Sequence, residues 1–112
     1  MTLEQARQFA MSLPQVTEEP HFEYTSFRIR GKIFATAPPG GEFLHIFLGE
    51  AERERALEEY PDFLEELFWG KRAIGVRVLL SAAKLEVIQN RLKAAHAEKS
   101  AKRARSTRRK KT

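Results

Sequence analysis

Leu3, Ala6, Phe9, Ala10 and Leu13 recur every three to four residues, the spacing that places apolar side chains on one face of a helix. Thr2 and Gln5 stand three apart at its start, in the form of a capping box. Pro14 closes that helix, and the polar run Gln15 to His21, which includes Pro20, reads as a connection. Alternation with period two then begins. Thr25 to Arg30 and Ile33 to Ala37 read as strands joined through a two-residue turn at Gly31-Lys32. Pro38-Pro39-Gly40-Gly41 is a further turn, and Glu42 to Leu48 supplies a third strand of an antiparallel meander. Gly49 and Glu50 open a charged helix running to Tyr60. Pro61 breaks it, a short apolar helix is expected over Phe63 to Phe68, and Gly70 ends that. A strand over Ala73 to Leu80 follows, with Ile74, Val76, Val78 and Leu80 on one side and Gly75 and Arg77 on the other. Ser81 reads as the N-cap of a long helix that buries Leu85, Ile88, Leu92 and Ala95.

The hairpin turn predicts Arg30 opposite Ile33 and Ile29 opposite Phe34. One sheet face then carries Phe27, Ile29, Phe34, Phe43 and Phe47; the other carries Arg28 and Arg30 beside Ile33, Ala35, Leu44, Ile46 and Leu48. Both faces call for cover, and whatever the helices leave open is a candidate partner surface. The phenylalanines themselves read most simply as core. The expected architecture is α+β: an antiparallel meander packed by an N-terminal helix and a long C-terminal one.

A chain of 112 residues suffices for one hydrophobic core. The absence of cysteine excludes disulfides and thiolate chemistry. No apolar run approaches a membrane span and no signal segment opens the chain, so the cytoplasm is the expected compartment, with no membrane partner. The net charge of +5 is unevenly placed. Residues 98–112 hold eight basic side chains against Glu98 alone, net +7, whereas residues 1–97 hold twelve basic and fourteen acidic, net −2. The chain therefore divides into a body, residues 1–97, and a basic tail, residues 98–112, disordered or frayed-helical. So dense a cationic segment cannot fold by burial and suits a polyanion.

Two blocks, Leu13-Pro14-Gln15-Val16-Thr17-Glu18-Glu19-Pro20-His21-Phe22 and Ser26-Phe27-Arg28-Ile29-Arg30-Gly31-Lys32-Ile33-Phe34-Ala35-Thr36, resemble the MmcQ/YjbR family. Together with the Trp69-Gly70-Lys71-Arg72 segment, the following strand and the last helix, the resemblance spans roughly residues 2–96. It implies a compact α+β fold related to the CyaY and secretion-chaperone-like folds, and a DNA-binding role. It carries over no catalytic residues. An aromatic residue expected near Ile74 is missing here.

Individual residues point to little chemistry. His21 between Glu19 and Glu23 has the makings of a general base or an oxygen-and-nitrogen metal site, yet a histidine in a polar loop is more often a hydrogen-bonded turn residue. His45 and His96 stand too far away in sequence to form a ligand spacing with it. Neither Gly31-Lys32 nor Gly40-Gly41 has phosphate-loop spacing. Arg30 to Phe34 begins like an RNA-recognition strand motif and then departs from it. No catalytic residue, metal site or cofactor is assigned. Arg28, Arg30, Lys32, Lys71 and Arg72 are candidates for a basic rim to which Lys99, Lys102, Arg103, Arg105, Arg108, Arg109, Lys110 and Lys111 add. The expected role is a non-enzymatic, nucleic-acid-associated protein, with DNA ahead of RNA. A protein-interaction or chaperone-like adaptor using an apolar sheet face is the alternative, and a small-molecule enzyme centred on His21 a remote one.

Overall fold

The capping box forms as its spacing requires: Gln5 N–H donates to Thr2 Oγ1 at 3.1 Å and Thr2 N–H to Gln5 Oε1 at 2.9 Å, starting helix α1, Leu3–Ser12. The computed structural model describes residues 1–109, with side chains through Ala101. After α1 come β1 (Val16–His21), β2 (Tyr24–Ile29), β3 (Lys32–Ala37), β4 (Phe43–Phe47), α2 (Glu50–Glu59), β5 (Leu64–Trp69) and β6 (Arg72–Leu79). One 3-10 turn, Leu80–Ala82, leads into α3, Leu85–Arg109. The strands form one antiparallel sheet in the order β1-β2-β3-β4-β6-β5. The fold is α+β, as its periodicities predict.

Two elements differ from expectation. The polar connection through Pro20 is strand β1, paired along its whole length with β2. It is an edge strand whose middle four residues are exposed, so it needs no apolar alternation, and an edge accommodates a proline lacking its N–H. The short helix expected over residues 63–68 is instead strand β5. Leu64, Leu67 and Phe68 have helical spacing, but the turn at Gly70 returns the chain as β6, and pairing with β6 overrides that local preference.

The turn of the β2–β3 hairpin is Arg30-Gly31, one residue earlier than expected. Ile29 pairs with Lys32, and both turn residues have positive φ, 52° and 80°, as a type I′ turn requires. Phe27 then pairs with Ala35 but Arg28 with Ile33, so Phe34 is the extra residue of a bulge. The expected aromatic face is consequently divided. Phe27, Ile29 and Phe34 are buried with Ala35, Leu44, Ile46 and Leu48, whereas Phe43 and Phe47 stand on the opposite face, two residues either side of His45.

All three helices cover one face. Ile88, Leu92 and Ala95 of α3 are fully buried with Ala6 and Ala10 of α1, and Phe34 meets His96 of α3 edge-on at 5.6 Å. The α2 helix is held by Arg53–Glu66 (3.3 Å) toward β5 and Glu52–Arg91 (3.6 Å) toward α3. Leu85 stays exposed and Ser81 lies in the 3-10 turn rather than at an N-cap, because the chain makes a tight turn under the sheet end before α3 begins. Among the described residues no helix is long and apolar enough to cross a membrane.

Candidate functional site

The helix-free face of the sheet is where the chemistry gathers. Its central row is polar: Ser26 pairs with Thr36, Thr36 with His45, and His45 with Arg77. Each of these lies next to a buried apolar residue in its own strand, so the alternation that directs Phe27, Ala35, Ile46 and Val76 inward directs this row outward. Aromatic residues flank it. Tyr24 packs against His45 with ring centroids 5.9 Å apart, and the Arg77 guanidinium sits 3.7 Å over the Phe43 ring. Glu65 lies 3.5 Å from Arg77.

Beside the Tyr24 and His45 rings lies a cavity of about 190 Å³. Thr36, His45 and Phe47 line it from the middle of the sheet, Trp69 and Ile74 from the β5–β6 side, and His21 from the β1 edge. Thr36 is buried, 3% exposed, and its hydroxyl oxygen has no hydrogen-bond partner among the described residues. Leaving such a group unpaired costs about 1–3 kcal/mol. Burial, aided by the nearby Arg77 charge, holds the His45 pKa below its usual value. The imidazole is therefore neutral at pH 7 and offers one N–H donor and one ring-nitrogen acceptor. Trp69 and Phe68, 72% and 55% exposed, form the outer wall. Phe22, beside the cavity's His21, is 93% exposed and holds φ at 59° in the β1–β2 turn, so neither burial nor backbone comfort accounts for a phenylalanine there.

The candidate cations fall into three groups. Arg28 lies on the open face near the β1 edge and is engaged locally: its Nε donates to Ser26 Oγ (2.9 Å), a terminal nitrogen donates to Pro20 O (3.3 Å), and Glu19 is 3.9 Å away. Arg30 lies in the β2–β3 turn with Lys32 next to it, and Lys71 lies in the β5–β6 turn with Arg72 next to it; all four are exposed. Since β2 and β5 run the same way in this antiparallel order, both turns occupy one end of the sheet, three strand spacings or roughly 14 Å apart. At the same end Glu98 of α3 accepts a hydrogen bond from Gly49 N–H at 2.8 Å. That contact places Lys99 with Arg72 around a second cavity of about 360 Å³, which Trp69 also lines. Lys99 Nζ stands 5.9 Å over the Phe47 ring. Of the tail cations, Lys102, Arg103, Arg105, Arg108, Arg109, Lys110 and Lys111 lie outside the residues whose side chains are described.

His21 and His45 share a cavity although 24 positions separate them in sequence, because β1 to β4 fold back on one another. His96 is on the helix side, its Nε2 donating to Pro14 O at 2.9 Å. The Thr36–His45 pair was not singled out from the sequence; the signal for it was the set of polar residues recurring opposite core positions in consecutive strands.

The YjbR family model matches residues 11–98. The chain belongs to the YjbR family. No curated protein and no solved structure shows significant similarity to it. Within this YjbR chain the matched segment takes in the whole sheet, α2 and the part of α3 that ends at Glu98, the residue that ties α3 to Gly49, but only the last two residues of α1.

Proposed function

We propose that this YjbR protein binds nucleic acid without transforming it, gripping phosphates with the basic end of the sheet and with the α3 extension that leaves it. The observation that carries the reading is convergence. Arg30, Lys32, Lys71, Arg72 and Lys99 come from three separate chain segments to one end, and the seven cations of residues 102–111 follow Lys99 directly in the chain. A nearly neutral body that carries four exposed cations at the end from which the basic segment leaves favours approach by a polyanion at that end. Phosphate contacts of this kind carry no base information, so DNA of mixed sequence is bound with little preference.

The test is fluorescence anisotropy on duplex DNA at several salt concentrations. Neutralising about five phosphates gives a slope of log K against log salt near −4 to −5. Ending the chain after Ala101 removes most of that slope, and Lys71→Ala with Arg72→Ala removes a further one to two. If the shortened chain binds as tightly and as steeply as the full one, the tail is not the phosphate grip; if the full chain fails to bind at low salt, the reading falls.

A further inference from the structure

Resting on the nucleic-acid reading, we propose that the open-face cavity receives one unpaired base of a bound strand, its ring stacked beside Trp69 and its hydrogen-bonding edge turned to Thr36 and His45. The inference starts from Thr36, a residue that lines this cavity and whose buried hydroxyl lacks a hydrogen-bond partner among the described residues. A hydroxyl can both donate and accept, so it demands a polar occupant of either sense. His45 beside it presents the complementary pair of functions from a neutral imidazole. Base edges carry donors and acceptors side by side in one plane, and these two residues are cross-strand partners pointing the same way.

Size argues for one ring system. At about 190 Å³ the cavity has room for roughly six waters and falls below the roughly 300 Å³ at which pockets for drug-sized ligands begin. Its walls are aromatic and apolar on the Trp69, Ile74 and Phe47 sides, which suits the faces of a heterocycle. Base stacking on such rings is indifferent to sequence. A purely aliphatic side chain from a protein partner would fill the same volume but leave the Thr36 hydroxyl unpaired. Position completes the case. Trp69 lines both this cavity and the one shared by Arg72 and Lys99. A base lodged on one side of the indole therefore has its own backbone phosphate within reach of the cations on the other. A paired base has its edge occupied and its faces covered by the stack, so the cavity selects single strands.

Trp69 is the chain's single tryptophan, and its emission reports directly on stacking. The experiment titrates the full chain with a short single-stranded thymidine oligonucleotide and with the same strand in duplex, following emission and anisotropy together. Single strand is expected to quench Trp69 by twofold or more, while duplex binds without comparable quenching. Thr36→Val, which keeps shape and removes the hydroxyl, is expected to weaken single-strand binding about 5- to 30-fold and to leave duplex affinity and melting temperature unreduced. Steep, salt-sensitive duplex binding with unchanged emission on adding single strand overturns the base site and leaves the phosphate reading standing. Thr36→Val binding single strand as tightly as the parent also overturns it. Failure of every oligonucleotide to bind at low salt overturns both.

Discussion

A Cβ on Gly75 would overlap the Ile46 carbonyl oxygen and lie 2.8 Å from Phe47 Cα. Both are backbone, so nothing can swing aside. Gly75→Ala must therefore part β4 from β6, and is expected to cost about 3 kcal/mol or more, well above an ordinary substitution, read as a lower urea midpoint; an unchanged midpoint would show that the two strands have slack. His45 gives a second residue-level expectation. Its pKa is below 6.5 in the folded protein, from burial first and the Arg77 charge second, and returns to that ordinary value on unfolding. The unfolded chain then binds more protons between those two values, so this histidine makes stability fall as pH drops through about 6.5 toward the folded value. His45→Gln is expected to flatten that part of the profile, leaving Arg77 paired with Glu65. Thermal melts from pH 7.5 down to 5, compared between parent and variant, check it: identical slopes would mean His45 is not the group responsible.

Elements differ in how plainly the chain announces them. The start of α1 was legible because Thr2 and Gln5 satisfy each other within four residues, with no help from the rest of the molecule. The Arg30-Gly31 turn was displaced by one residue, since a lone glycine marks that a turn is present but not which neighbour shares the positive φ with it. The bulge at Phe34, which shifts the register by one, then redistributes the phenylalanines between faces. The β1 and β5 strands were illegible for opposite reasons. One contributes almost only backbone pairing, while the other holds apolar residues at helical spacing and becomes a strand through its partner. Thr36 and His45 could be named only with the β3–β4 register in hand, and that register is nowhere local. Glu98 shows the same limit at the body–tail boundary. Its carboxylate meets Gly49 N–H, at the start of α2, where negative charge also favours the helix dipole. Glu98→Ala is expected to lower stability by about 0.5–1.5 kcal/mol, whereas ending the chain after Ala101 retains the contact. A melt in which Glu98→Ala matches the parent would reduce this bond to an incidental surface contact.

At the scale of the molecule, the charge division was readable in full, because counting needs no geometry. The gathering of body cations beside the departing helix was not, since it depends on two hairpins turning at the same end. The strand order has another consequence. The first four strands meet their neighbours in chain order across short turns, but β4 meets β6 only after 24 intervening residues, with α2 and β5 between. Short hairpins close in microseconds, and a longer loop adds a larger entropic cost. Folding therefore joins two pieces, a four-stranded ribbon and the β5–β6 hairpin, along the seam where Gly75 faces Phe47. Until that seam closes, β4 presents unpaired amides and carbonyls beside Phe43, Leu44, Ile46 and Phe47. An apolar strand edge of this kind invites pairing with another copy, so the close fit that Gly75 permits also ends the interval in which the newly made chain is open to aggregation.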